Sequence, residues 1–327
     1  MRRLEVWLLA TVLAFHTAPT ARAFAGFFHV AGLRDSASLG VTQVLVLGND
    51  NRRALENYAA AHSLEVEQLK RAHAASGLVE CGDSHGAGQL TLSNHVITTA
   101  AHVFFDEYGA RRAEQCEFVA EVDGKERRIP IDGGSIVAGA IRPYAKKAVH
   151  DWAVAKLLHS IPEIAPYDLA RGLAVNEDVE FVARGHSDWG DGKVMSFEDC
   201  RLRALTDRIS GGSREFAFDC NTGDGASGGA VLLGDDHRKL GAILVGWRSD
   251  DPMKTGVFST THYNFVVSIE GAFRRALDRA ATTSGSDRGI TRADQRMAPT
   301  NSQTNAEDAS RHRSMASIRR IDPLSHH

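Results

Sequence analysis

The chain has 327 residues, 43% of them apolar, enough to bury a sizeable core in one large domain or two small ones. Its formal net charge of -3 supplies no long-range field that would favour nucleic acid or an anionic membrane, and nucleic-acid binding is set aside on that ground.

Arg2 and Arg3 precede an apolar run over residues 6–15, and Ala21-Arg22-Ala23 follows. This is the arrangement of a secretory signal peptide, residues 1–23, with cleavage after Ala23. The apolar run is about ten residues against the roughly 20 that a bilayer span needs. The expectation is a secreted or periplasmic protein with no stable membrane association once the signal is removed. Four cysteines then remain, Cys81, Cys116, Cys200 and Cys220. An even number in an exported chain points to disulfides rather than free thiols. Of the three possible pairings, order along the chain favours Cys81 with Cys116, flanking His102, and Cys200 with Cys220, just ahead of Ser227. No two cysteines have the spacing of about two to four residues that structural zinc sites favour.

Within 24–76, the stretch 52–75 is rich in Ala, Leu, Glu and Lys with apolar residues at helical spacing. Ser63 is placed to cap a second short helix, with Glu65 and Glu67 in its first turn. The segment reads as an N-terminal helical extension or propeptide, or alternatively as a helical hairpin packed permanently on the main domain. From 77 the pattern changes to short apolar or alternating runs at 88–92, 95–98, 116–122, 152–158, 179–183, 216–218, 229–233 and 240–247, separated by Gly, Asp, Asn and Ser. Many short strands predict a β-barrel or sandwich rather than βαβ units. Residues 263–280 are predicted as one amphipathic helix with Phe265, Ile269, Phe273 and Leu277 on one face, closing a domain of 77–281. The polar, aperiodic segment 282–327 is expected to be a disordered tail.

Three local patterns carry chemistry: Thr98-Thr99-Ala100-Ala101-His102 after a strand, Asp151-Trp152-Ala153 opening another, and Gly223-Asp224-Gly225-Ala226-Ser227-Gly228-Gly229 in a glycine-rich turn. A serine hydroxyl is a poor nucleophile until a positioned base takes its proton. Imidazole is the natural base near neutral pH, and a buried carboxylate fixes its tautomer. Ser210-Gly211-Gly212 lacks a glycine two residues before the serine, and Asp106 is too close along the chain to reach His102 from the buried side.

Together these segments resemble the T-A-A-H, D-x-A-x-x-x-L and G-x-S-G-G motifs of bacterial trypsin-like serine proteases of the chymotrypsin superfamily, over roughly residues 77–280. The resemblance implies an all-β fold of two perpendicular six-stranded antiparallel barrels, about 77–170 and 171–262, plus a terminal helix. It implies a serine endopeptidase acting on a polypeptide substrate through an acyl-enzyme, with catalytic His102, Asp151 and Ser227, oxyanion donors at Gly225 and Ser227, and no metal or organic cofactor. Substrate contacts are expected from Asn221, Thr222, Val245, Gly246, Trp247, Arg248 and Gly256. Ala226 replaces the aspartate that pairs with the new N-terminus of trypsin, so that activation route is not expected. Asn221 stands where trypsin has its pocket-base aspartate, and Arg248 replaces a glycine at the pocket mouth. Val245 stands where glutamate-specific relatives carry a histidine.

Two other readings compete. Gly225-Ala226-Ser227-Gly228-Gly229 also fits the G-x-S-x-G elbow of α/β-hydrolase esterases, but there the Asp and His follow the serine. A catalytically inactive binding protein on the protease scaffold is the alternative from another class.

Overall fold

Apolar runs too short for helices and bounded by turn residues must find partners across a sheet, and here they close into barrels. The computed structural model describes residues 44–189, 193–233, 239–250 and 256–282. The expected signal peptide, residues 24–43 and the tail beyond Thr282 lie outside the described residues.

From Val44 onward, the segment expected as an extension is woven into the protein: β1 (Val44–Leu45), β2 (Arg53–Ala54), α1 (Leu55–His62) and α2 (Val66–Ala72). Both short helices are present, but Ser63 does not head the second. It takes a left-handed φ of 55° and terminates α1, while Glu65 occupies the N-cap of α2. A chain reversing between two helices needs such a left-handed residue at the end of the first, and this demand outweighs the capping preference of serine.

The first barrel comprises β3 (Ser76–Cys81), β4 (Ser84–Leu90), β5 (Val96–Thr99), β6 (Cys116–Val122), β7 (Lys125–Ala138) and β8 (Ala153–Leu157), with a short helix α3 (Ala101–Phe104) after β5. The strands close in the order β3-β4-β5-β8-β7-β6, all antiparallel. After β9 (Asp168–Leu169), the second barrel uses β10 (Asp178–Ala183), β11 (Ser196–Arg208), β12 (Arg214–Phe218), β14 (Ala230–Leu233), β15 (Lys239–Ser249) and β16 (His262–Ser268). Here the order is β10-β14-β15-β16-β12-β11, and the pairing of β10 with β11 closes the ring. Closure removes every sheet edge within each ring. Among the described residues the two rings leave no alternating strands and helices for an α/β-hydrolase, and the esterase reading falls with that fold.

Two accessory pairings matter for the site. β2 extends the sheet beside β11, and β1 pairs with β13 (Thr222–Gly223), a strand just ahead of Ser227.

The predicted helix 263–280 is corrected. Residues His262–Ser268 are the barrel strand β16, and the helix α4 (Gly271–Thr282) begins only at Gly271, whose φ is 54°. The second barrel therefore runs to Ser268, beyond the boundary expected at 262. No described helix is long and apolar enough to cross a membrane. Both expected disulfides form: Cys81–Cys116 ties β3 to β6, and Cys200–Cys220 ties β11 to the residue before Asn221.

Candidate active site

Strand register brings the histidine and the aspartate together. Thr99 at the end of β5 lies opposite Ala153 at the start of β8, so His102, three residues on, and Asp151, two residues back, emerge at the same end of the barrel. α3 then turns His102 toward Asp151. Its Nδ1 is 2.7 Å from Asp151 Oδ2, and its backbone N–H donates to Oδ1 at 3.0 Å. Both residues are buried, with relative exposures of 7% and 5%. Trp152 next to Asp151 stacks on Phe273 of α4 at 4.7 Å between ring centroids, so the terminal helix buttresses the aspartate. Arg112 donates to the His102 carbonyl at 2.7 Å, and the Tyr144 ring lies 5.9 Å from the imidazole.

Ser227 is half-buried in the turn between β13 and β14. That turn is pressed against the strand leading to His102. A Cβ added to Gly228, φ 89°, would strike Ala87 O and Thr99 Oγ1 and lie 3.1 Å from Ala100 N. One added to Gly86 would lie 2.8 Å from Ser227 O. Only glycine permits this approach and this φ together. Within the turn, the N–H groups of Ala226, Gly228 and Gly229 are spent on Gly223, Leu244 and Ala226 carbonyls. Among the described residues those of Gly225 and Ser227 make no backbone hydrogen bond. Gly225, φ 87°, is packed on Gly185 O, which also lies 3.0 Å from His85 Nε2.

The expected substrate-contacting residues divide. Gly246, Trp247 and Arg248 are part-exposed on β15, beside the buried Val245. Arg248 is not a free cation: it forms a two-pronged pair with Glu215 and lies 4.1 Å over the Phe265 ring. Asn221 is fully buried, and its side chain is committed to the protein. Its Oδ1 accepts from Leu47 N–H at 2.6 Å, and its Nδ2 donates to Asn49 O at 3.0 Å and Glu198 Oε1 at 2.9 Å. Thr222 is likewise buried and donates to Asn264 Oδ1 at 2.8 Å. Gly256 meets Leu47 in an isolated parallel bridge. The strand that runs beside Val245–Arg248 is instead β16, with Trp247 opposite Asn264 and Arg248 opposite Tyr263. Gly256 therefore does not lie opposite 245–248 in the sheet.

Sequence reasoning missed the groups behind the turn, namely Arg52, His186, Asp188 and Glu198. Only Gly185 next to His186 gave a local hint, since a glycine ahead of a polar run marks a tight turn. Among the described residues no cluster of three or more His, Cys, Asp or Glu side chains is placed to hold a metal.

Residues 84–241 match the family model of the trypsin-like peptidase domain. Among solved structures, a Glu endopeptidase in complex with MPD is 14% identical over 72% of this chain and 99% of its own, with a TM-score of 0.55. A thermostable serine protease, AL20, from an extremophilic microorganism is 15% identical over 64% of this chain and 98% of its own, with a TM-score of 0.46. Protease Anisep from Arthrobacter nicotinovorans is 14% identical over 64% of this chain and 96% of its own, with a TM-score of 0.44. No curated protein matches the chain. The chain has the chymotrypsin-like double-barrel fold, and its residues 84–241 are similar to the trypsin-like peptidase domain.

Proposed function

We propose that the chain is an exported serine endopeptidase with His102, Asp151 and Ser227 as its triad. The observation that carries this reading is the double donation from His102 to Asp151 at the barrel end where the glycine-rich turn of Ser227 is packed. An ionised carboxylate only accepts, so Nδ1 keeps the proton and Nε2 carries the lone pair that a base needs. Ser227 Oγ attacks the peptide carbonyl as its proton passes to Nε2. Asp151 stabilises the imidazolium, which then protonates the leaving amine. Water repeats the sequence on the acyl-enzyme and releases the acid product. The N–H groups of Gly225 and Ser227 receive the developing oxyanion, and one such donor is worth about 3 kcal/mol in the transition state. The scheme needs no metal or organic cofactor.

The substrate is a polypeptide whose backbone lies along 245–248. With Asn221 committed to the protein and Arg248 paired with Glu215, neither the floor nor the mouth of the pocket presents an unneutralised charge to the side chain at the cleaved bond. Export to the periplasm or medium follows from cleavage after Ala23.

The test is labelling of the processed, folded protein by a fluorophosphonate probe. Wild type takes up the probe at Ser227, whereas Ser227→Ala and His102→Ala do not. Equal labelling of wild type and Ser227→Ala would sink the reading.

A further inference from the structure

The segment ahead of the first barrel is bound to the back of the nucleophile turn. Val44 lies opposite Gly223 and Leu45 opposite Thr222, Leu47 binds the Asn221 amide, and Gly48 N–H donates to Gly256 O at 2.8 Å. This strap ends at Arg52, whose side chain is only 1% exposed. Burying a guanidinium is costly unless every donor is met. Here all are: Nε and Nη2 reach Asp50 at 2.9 and 2.7 Å, Nη2 and Nη1 reach Asp188 at 2.5 and 3.2 Å, and Nη1 reaches His186 Nδ1 at 3.1 Å. The guanidinium also lies 5.3 Å over the Trp189 ring. Arg52 can only donate, so His186 Nδ1 accepts, and its Nε2–H donates to Ser196 Oγ at 2.6 Å. Burial first, and the Arg52 charge second, pull the His186 pKa down to about 3, which keeps the ring neutral beside the cation.

The clasp reaches the nucleophile turn through its anions. A Cβ on Gly223 would lie 2.6 Å from Asp188 Oδ1 and 3.3 Å from Arg52 Nη1. Ser187 donates both its N–H and its hydroxyl to Asp224 O, each at 2.9 Å. Gly185 and Gly225 stand back to back. A loop fixed by Arg52 therefore forms the bed on which 223–225 rests, while Ala226 offers no carboxylate that a new amino terminus could bind.

We propose that Arg52 is a positioning residue for the nucleophile turn: through Asp188 it clamps loop 185–188 against Gly223 and Asp224 and so holds the Gly225 and Ser227 N–H groups in place. Arg52 touches neither substrate nor reacting atoms. The inference rests on the triad reading above. It also requires that the strap stay with the active enzyme, so that any maturation cut falls before Val44.

Three measurements on the full, processed chain test it: the fluorophosphonate labelling rate at Ser227, amide hydrogen exchange in peptides covering 221–229, and the melting temperature. Arg52→Met is expected to slow labelling about a hundredfold, the usual penalty of a small misplacement of reacting groups. Exchange in 221–229 should rise, and added methylguanidinium should restore labelling in part. Ile129→Ala, a core change in β7, serves as the control: brought to the same melting temperature, it keeps the wild-type labelling rate. If Arg52→Met labels at the wild-type rate, or no more slowly than the control, the proposal is overturned. Should Arg52→Met fail to fold, Arg52→Lys and Asp188→Asn carry the same test, and wild-type labelling by both overturns it. If wild type itself is not labelled at Ser227, the triad reading fails. Exchange then still decides the clasp, because unchanged protection of 221–229 in Arg52→Lys and Asp188→Asn refutes it.

Discussion

His102 donates to Asp151 twice, from the ring at 2.7 Å and from its own backbone N–H at 3.0 Å, so one carboxylate fixes both the tautomer and the position of the imidazole. Asp151→Asn separates these tasks. An amide has one accepting oxygen, and whichever donor it serves, its NH2 group faces the other. Turned toward the ring, the NH2 forces the proton onto Nε2 and removes the base. Turnover on a peptide substrate is expected to fall about 10⁴-fold with the circular dichroism of the folded protein unchanged. An Asn variant with near-native turnover would mean that His102 is not the base.

Glu198 lies beneath Asn221, where both its oxygens accept from Asn221 at 2.8 and 2.9 Å. Burial pushes its pKa up from 4.5 to about 8, against the lowering effect of the Asn221 N–H; Asp50 and Asp219 push the same way as burial, and Arg52 opposes them. Between these pH values the folded chain holds a proton that the unfolded chain has released. The contribution is therefore fully present below about 4.5, declines as pH rises, and is gone above about 8. The loss is on the order of a few kcal/mol. Urea unfolding of wild type and Glu198→Gln at pH 5 and at pH 8.5 should show a smaller loss of stability in the variant. Parallel losses in the two proteins would contradict the neutral state of Glu198.

Asn221→Asp, the substitution that would imitate trypsin's pocket, is expected to damage rather than retarget the enzyme. The new carboxylate would oppose Asn49 O, an acceptor that the amide nitrogen now satisfies, and would place a buried charge beside Glu198 with no cation against it among the described residues. Removing a buried donor in this way costs about 1–3 kcal/mol, more where a charge is left unpaired. A lowered melting temperature and no gain in cleavage after Arg or Lys are expected from peptide-library profiling. Acquired tryptic cleavage would mean that residue 221 opens into the pocket.

Strand β6 was legible from 116–122, and the disulfide partners from their order, because local pattern and tertiary role coincide there. β16 was not. Tyr263, Phe265 and Val267 are buried, but so are Asn264, Val266 and Ser268 on the opposite face. A strand buried on both faces has no alternation, and Phe265, Ile269 and Phe273 then mimic a helical stripe across the break between β16 and α4. β7 was missed for the opposite reason. It opens on a charged run, and Arg128 is held by Glu80 and Glu117 on the neighbouring strands β3 and β6 and by Glu126 on its own strand rather than by apolar burial. The triad was readable because each member sits in a short motif of its own. Arg52 was not, since its meaning depends on Asp188, 136 positions away.

Gly228 tests whether the close approach of the two barrels, rather than the left-handed backbone alone, places Ser227. Gly228 has a φ of 89°, and Gly124, in the β6–β7 hairpin, has one of 73°. Alanine at either strains the backbone by about 1–3 kcal/mol. A Cβ on Gly124 meets nothing within 4 Å, whereas one on Gly228 is driven into Ala87 O and Thr99 Oγ1, which are hydrogen-bonded to each other at 2.7 Å and have no room to retreat. Gly228→Ala must therefore push the turn off β4 and β5, carrying Ser227 away from the strand that delivers His102. Labelling by the fluorophosphonate should fall about a hundredfold in Gly228→Ala at temperatures where it remains folded. Gly124→Ala should lose stability but label as wild type. Equal labelling by the two variants would mean that contact between the turn and Thr99 does not set the nucleophile.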